Sequence, residues 1–254
     1  MNKTKIITLC VFLLLVAIAV YFSCKNRDDS RKMTTCKEDK YIKNCAKQML
    51  HVLTSEPENM SKDIVKDSNP VMIIYDDFLS DYEVDFLIKN YKSKTTPSTV
   101  VSNNNGYSLS LETRKSFSHY LEKSENDVVR AIEERASDIS GFPKSFIEPV
   151  QFLKYEKGGY FRPHRDYFSE DYTNNEYQRY ATIFVYLNDD FEGGNTLFPE
   201  IGVEVIPKRG RAVLWFNVKE NGEVNPLTLH TGTEVTDGYK CGLNIWIRNK
   251  KFSM

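Results

Sequence analysis

The feature that most limits what this chain can fold into is a crowding of short β-branched and aromatic runs after Phe142. Val150–Tyr155, Ala181–Leu187, Val203–Ile206, Arg211–Phe216, Leu227–Thr231 and Tyr239–Ile247 have the length and composition of strands. Gly158-Gly159, Asp189–Gly194, Pro207–Gly210 and Asn221-Gly222 separate them with turn chemistry. The chain ahead of them reads differently. Val71–Tyr75 is one short strand, and Ser80-Asp81-Tyr82-Glu83 is a capping box opening a helix through about Tyr91. A second helix opens at Ser124-Glu125-Asn126-Asp127 and repeats Val128, Ile132, Ala136 and Ile139 on one face. Gly141 and Pro143 stop it. Thr95–Asn105, with Asn103-Asn104-Asn105-Gly106, reads as a polar loop. Helices first and many short strands afterwards predict an α+β fold, an antiparallel sandwich or barrel with helices covering one sheet.

Composition bounds the function classes. Lys and Arg number 34 against 35 Asp and Glu, a net charge of −1, so no basic surplus points to nucleic acid. Five cysteines in 254 residues are too few for a disulfide scaffold. Hydrophobic residues at 41% are enough to build a core.

The N-terminus predicts a membrane or export signal over residues 1–24. Lys3 and Lys5 precede a run, Ile6–Phe22, that is apolar apart from Thr8. As a helix it rises roughly 25 Å, just short of a ~30 Å hydrocarbon core. Ala17-Ile18-Ala19 also offers a cleavage site, so an uncleaved anchor and a cleaved signal both stand. Positive residues flank both ends, which leaves orientation open. Residues 25–70 read as a polar stalk with one weakly amphipathic piece near Tyr41–Leu53, and residues 71–254 as the globular domain. Cys36 and Cys45 could pair in an oxidising lumen or remain free thiols, and Cys241 has no obvious partner.

Chemistry concentrates around two of the four histidines. In His164-Arg165-Asp166 an imidazole and a carboxylate two residues apart project from one face of an extended chain. His230 follows on a later strand that an antiparallel sheet could bring alongside. Two His and one carboxylate with open positions form the ligand set of non-heme Fe(II) oxygenases. In the last strand Lys240, Gly242, Asn244 and Trp246 share a face, and a lysine there is costly to bury unless an anion neutralises it. A small dicarboxylate bound to the metal would supply that anion; a lysine that snorkels to water is the plainer alternative. His51 and His119 read as surface or packing residues.

The segment from Gln151 to Arg248 resembles the catalytic domain of prolyl 4-hydroxylases, Fe(II)- and 2-oxoglutarate-dependent dioxygenases on a double-stranded β-helix (jelly roll). The matching stretches are Phe152–Tyr160, His164–Phe168, Arg179–Asn188, Glu192–Pro199, Pro207–Ala212, Leu229–Gly232 and Lys240–Trp246. Arg114-Lys115-Ser116 stands where the family often has Arg-Thr-Ser, extending the likeness back to about Val71. The resemblance implies His164, Asp166 and His230 as iron ligands, and Lys240 as partner of the distal carboxylate of 2-oxoglutarate. It implies Tyr155 and Thr196 as hydrogen-bond partners of that co-substrate. Arg179 and Trp246 match positions near the substrate, and Arg114 and Ser116 match a loop that closes over the peptide. Lys115 departs from the family's Thr.

The same resemblance implies Fe(II), 2-oxoglutarate, O2 and L-ascorbate as cofactors and co-substrates, with succinate and CO2 released as a peptidyl proline is hydroxylated. It implies a lumenal catalytic domain at the endoplasmic reticulum membrane, or one secreted after signal cleavage. Lysyl hydroxylases resemble this domain but use Arg where Lys240 stands. A non-catalytic peptide-binding β-domain would be expected to lose a ligand or the lysine, and zinc hydrolysis would have no use for Lys240.

Overall fold

Alternation along Tyr239–Arg248, the longest strand, sorts its side chains into two unlike sets. Cys241, Leu243, Ile245 and Ile247 enter one apolar core, while Lys240, Gly242, Asn244 and Trp246 point the other way. The neighbouring strands do the same. Phe152, Ala181, Ile183, Val185, Leu214 and Phe216 join the first core, and Leu153, Tyr155, Phe184, Tyr186, Val213 and Trp215 a second. These strands belong to an eight-stranded antiparallel sheet. Its order is Ser61–Lys66, Met72–Asp76, Ala212–Phe216, Arg179–Tyr186, Tyr239–Arg248, Gln151–Glu156, Phe117–Tyr120 and Thr96–Pro97. The computed structural model describes residues 42–102, 106–108, 112–168 and 177–253.

Opposite the second core lies a five-stranded sheet, ordered Val203–Val205, Thr196–Phe198, His230–Gly232, Tyr160–His164 and Arg114–Lys115. Phe198 and Val205 from this sheet meet Tyr186 and Trp215 from the larger one. Two facing antiparallel sheets with side chains meeting between them make the jelly roll.

Three helices, α1 (Ala46–Thr54), α2 (Asp81–Tyr91) and α3 (Asp127–Ser140), cover the outer face of the larger sheet and close the first core. Ser80 starts α2 as expected: its hydroxyl accepts from the Glu83 N–H, and the Glu83 carboxylate accepts from the Ser80 N–H at 2.8 Å. In α3 the cap is Asn126, whose side chain accepts from the Val129 N–H at 3.0 Å. Ser124 instead donates to the buried Glu133 carboxylate at 2.6 Å. Gly141 ends α3 at φ 71°, and a Cβ there would lie 2.9 Å from the His51 ring.

Several expectations need correction. The stalk does not run to residue 70. Cys45, Met49 and Val52 are buried in the first core, and Ser61–Lys66 pairs with Met72–Asp76. The buried Lys62 ammonium caps α1 by donating to the carbonyls of Leu53 (3.0 Å) and Ser55 (2.6 Å). The sequence Ser-Lys-Asp-Ile-Val-Lys hides this strand because an edge strand is allowed to be polar. Pro226–Thr228 is a 3-10 turn rather than part of a strand, because Asn225 caps it. Val100–Ser102, inside the expected loop, pairs with Gly106–Ser108 just beyond it, and Asn103–Asn105 lie outside the described residues.

Cys45 is buried, with its thiol donating to the Lys219 carbonyl at 3.3 Å, while Cys36 lies outside the described residues. So does the apolar run Ile6–Phe22; among the described residues no helix is long and apolar enough to cross a membrane.

If α1 and the first strand are integral to the domain, Met49→Ala should cost about 2–5 kcal/mol by opening a cavity under the sheet. A chain starting at Val71 should unfold at lower temperature still. Thermal melts of both against the full chain read the effect directly.

Candidate active site

Antiparallel pairing of Tyr160–His164 with His230–Gly232 sets His164 directly opposite His230, with ring centroids 4.2 Å apart. Tyr160–His164 ends at His164, so Asp166 lies on the bend just past the strand. Its carboxylate nevertheless returns to the pair. Oδ1 lies 3.6 Å from His164 Nε2 and Oδ2 3.8 Å from His230 Nε2. One ligand atom from each residue lies within 4.8 Å of the other two.

Backbone carbonyls orient both rings. His164 Nδ1 sits 2.9 Å from Arg162 O, and His230 Nδ1 sits 2.9 Å from Thr228 O. Each Nδ1 therefore carries a proton and donates it, which turns both Nε2 atoms toward the carboxylate. Burial, with His230 alongside, pushes His164 down to about 3, so its imidazole is neutral at ordinary pH. Burial alone would raise Asp166, but the two imidazoles, Arg179 and the Thr182 hydroxyl outweigh it and hold the carboxyl below its usual range. Two imidazoles and one carboxylate converging on a point are a facial donor set for a divalent first-row metal.

Beyond this set the interior holds a charge with no counter-ion. Lys240 is 3% exposed, and among the described residues no carboxylate pairs with it. Its Nζ donates to the Gly194 carbonyl at 2.5 Å and lies 4.8 Å, 5.0 Å and 5.4 Å from the ring centres of Phe184, Tyr186 and Tyr155. Burial pushes its ammonium down to about 7. Tyr155 is the cross-strand partner of Lys240, and Tyr186 donates to Thr196 Oγ1 at 2.6 Å. Lys240, Tyr155 and Thr196, expected to act together, are thus brought to one end of the barrel interior.

The four positions expected near a substrate divide into two groups. Arg179 stacks its guanidinium 3.7 Å from the Trp246 ring centre and pairs through two nitrogens with Glu148, at 2.8 Å and 2.9 Å. Arg248 donates to the same buried Glu148 carboxylate at 2.8 Å. Trp246 is buried, and its indole N–H has no hydrogen-bond partner among the described residues. Arg114 and Ser116 are buried too, joined by a 2.9 Å hydrogen bond and facing the Tyr155 phenol. Arg114 lies on the short strand Arg114–Lys115, with Ser116 just past its end. His51 and His119 are packing residues: His51 meets the Asp138 carbonyl and His119 stacks on Tyr91.

Residues 150–248 match the 2OG-Fe(II) oxygenase superfamily. Prolyl 4-hydroxylase 5 of Arabidopsis thaliana is 32% identical over 205 residues, covering 73% of this chain and 70% of that protein. Prolyl 4-hydroxylase 1 of the same plant is 33% identical over 211 residues, covering 77% and 74%. The chain belongs to the prolyl 4-hydroxylase family. A viral collagen prolyl hydroxylase from Paramecium Bursaria Chlorella virus-1, solved as a 2OG complex, shares the fold. Its TM-score is 0.58 at 28% identity, covering 71% of this chain and 96% of that one.

Like its prolyl 4-hydroxylase relatives, this chain is an oxygenase using ferrous iron, 2-oxoglutarate and dioxygen. The residues present fit both groups. The donor set has the chemistry of a ferrous site, and the unpaired Lys240 ammonium wants the anion that a keto-diacid carries.

Sequence reading missed the buried supports of this prolyl 4-hydroxylase site: Glu148 under Arg179, Tyr186 under Thr196, and Thr182 and Asn217 behind Asp166. A buried polar residue at a core-facing strand position was the available signal, and it is weak, because Thr and Tyr are also ordinary strand formers.

Lys240 makes ligand-free stability depend on pH. Its folded value, about 7, lies below the ordinary 10.5, so between these limits the unfolded chain holds a proton the folded one lacks, and stability rises with pH. Below about 7 the ammonium is charged in both states and its burial costs most. Lys240→Met should therefore melt higher than the ligand-free parent at pH 7, with the difference shrinking toward pH 10. Paired melts across that range check it.

Proposed function

We propose that this chain hydroxylates peptidyl proline at C4, consuming O2 and 2-oxoglutarate and releasing succinate and CO2. The observation that carries the reading is a two-histidine, one-carboxylate cluster sharing a barrel interior with a buried, unpaired ammonium. His164, Asp166 and His230 would hold the iron, which when bound supplies the redox chemistry coupling decarboxylation to hydroxylation.

The protein's own part is placement. Lys240 pairs with the distal carboxylate of 2-oxoglutarate, with Tyr155 and Thr196 as hydrogen-bond partners beside it. Burial of all three keeps water from the reacting end. Arg114 and Ser116 hold the Tyr155 phenol in place.

Trp246 and Arg179 take the peptide. An orphaned buried N–H costs about 1–3 kcal/mol, and a peptide carbonyl would satisfy it. Extended, Pro-rich segments suit such a site because little entropy remains to be lost on binding. The viral relative's collagen-directed name makes a collagen-like peptide the first substrate to try. We further propose that the Lys3–Phe22 segment delivers this domain to a lumen, as a signal anchor at the endoplasmic reticulum membrane or as a cleaved signal.

Incubating the chain with Fe(II), 2-oxoglutarate and either Pro-rich or Lys-bearing peptides, and mapping the added oxygen by mass, should place it on proline alone. Oxygen on lysine, or succinate without modified peptide, would overturn the assignment. Asp166→Ala should lose metal and turnover together. Lys240→Met should chiefly raise the KM for 2-oxoglutarate. Trp246→Phe keeps a ring but not the donor, and should raise the peptide KM about tenfold with little change for 2-oxoglutarate.

A further inference from the structure

Asp166 is the metal-facing residue least fixed by its backbone, because it lies on a bend beyond the end of its strand. The terminal torsion of a carboxylate is broad, so some other contact must set its plane. That contact is a chain of three buried hydrogen bonds. Thr182 Oγ1 donates to Asp166 Oδ2 at 2.8 Å, Asn217 Nδ2 donates to Thr182 Oγ1 at 2.9 Å, and Trp215 Nε1 donates to Asn217 Oδ1 at 2.9 Å. Thr182 and Asn217 are fully buried and Trp215 nearly so.

The direction of the chain is forced from its far end. An indole can only donate, so Asn217 must turn its oxygen to Trp215 and its NH2 to Thr182. The threonine oxygen accepts that bond, and its single hydrogen goes to the remaining neighbour, Asp166. The anchors are rigid. Thr182 lies on a strand paired on both sides, and Asn217 is tied by its N–H to Tyr180 O at 2.8 Å and by its carbonyl to Asn225 N at 2.9 Å.

We propose that Trp215, Asn217 and Thr182 are positioning residues, a one-way relay that fixes the Asp166 carboxylate and thereby sets the affinity for a divalent metal. The inference rests on the reading of His164, Asp166 and His230 as the metal centre. Trp215 also packs edge-on to His230, centroids 4.9 Å apart, so substitution there would disturb two donors. The informative variants are at the other two positions.

The test is Mn(II) binding to the full chain, read from the spectrum of free Mn(II), with folding checked by circular dichroism. Thr182→Val removes the donor at nearly constant shape and should weaken Mn(II) by about 10–100-fold. Thr182→Ser restores the hydroxyl and should return the affinity to within a few-fold of the parent. Asn217→Asp accepts from both neighbours, draws the threonine hydrogen away from Asp166, and should weaken Mn(II) in the same way. The double variant Thr182→Val/Asn217→Asp should be no weaker than Thr182→Val alone, because both act through one bond.

Unchanged Mn(II) affinity in Thr182→Val, or failure of Thr182→Ser to rescue it, overturns the relay. If Asn217→Asp does not fold, the Val and Ser pair decides. Asp166→Ala separates the two levels: retention of Mn(II) there would overturn the metal-centre reading itself, whereas its loss beside an unaffected Thr182→Val sinks only the relay.

Discussion

The cross-strand pair His164–His230 is the contact on which the site depends. Two strands from distant parts of the chain bring the imidazoles together only if their register is held, and a slip of one residue would turn each ring to the opposite face. The register is enforced on both sides of the pair. Thr196–Phe198 pairs with the His230 strand, and Arg114–Lys115 pairs with the His164 strand. Thr231 adds a side-chain bond to Phe161 O at 2.7 Å across the same junction. The small sheet therefore acts as a clamp on a donor pair.

The large sheet has a different task. Its outer face is apolar and closed by three helices, so the strands can carry charged and polar groups on the inner face without coming apart. Lys240, Asn244, Gln151, Thr182 and Tyr155 all stand on that inner face, each on a strand whose alternate residues are fixed in the helix-covered core. The helices are remote from the chemistry, yet they let a buried ammonium exist at all. Burial of apolar area on one side offsets desolvation on the other.

Much of this was legible in the residues. The late strands, the α2 capping box and the convergence of His164, Asp166 and His230 could be read because each leaves a local mark: alternation, a Ser-x-x-Glu spacing, or an H-x-D beside a distant His. What could not be read is instructive. Ser61–Lys66 is polar because it is an edge, so it looks like linker. The start of α3 shifted from Ser124 to Asn126 because Glu133, nine residues on, recruits the serine hydroxyl, and no local pattern records that. Arg114 and Ser116 read as a closing loop, but their burial against Tyr155 follows from tertiary packing. The Trp215–Asn217–Thr182 chain joins two segments distant in sequence and exists only in the fold.

The uncompensated groups of this interior all favour the same event. Among the described residues Lys240 lacks an anion and the Trp246 indole lacks an acceptor; both stand on the inner face of one strand, six residues apart. A folded chain would not keep two such costs if stability alone were at stake, since an apolar residue at either position would remove them. Each would be relieved by a different ligand chemistry, a carboxylate for the ammonium and a carbonyl for the indole. The metal donors lie in the same interior. On the proposed assignment of these two residues, the strand carries binding energy as unsatisfied polarity that is realised when both occupants are bound.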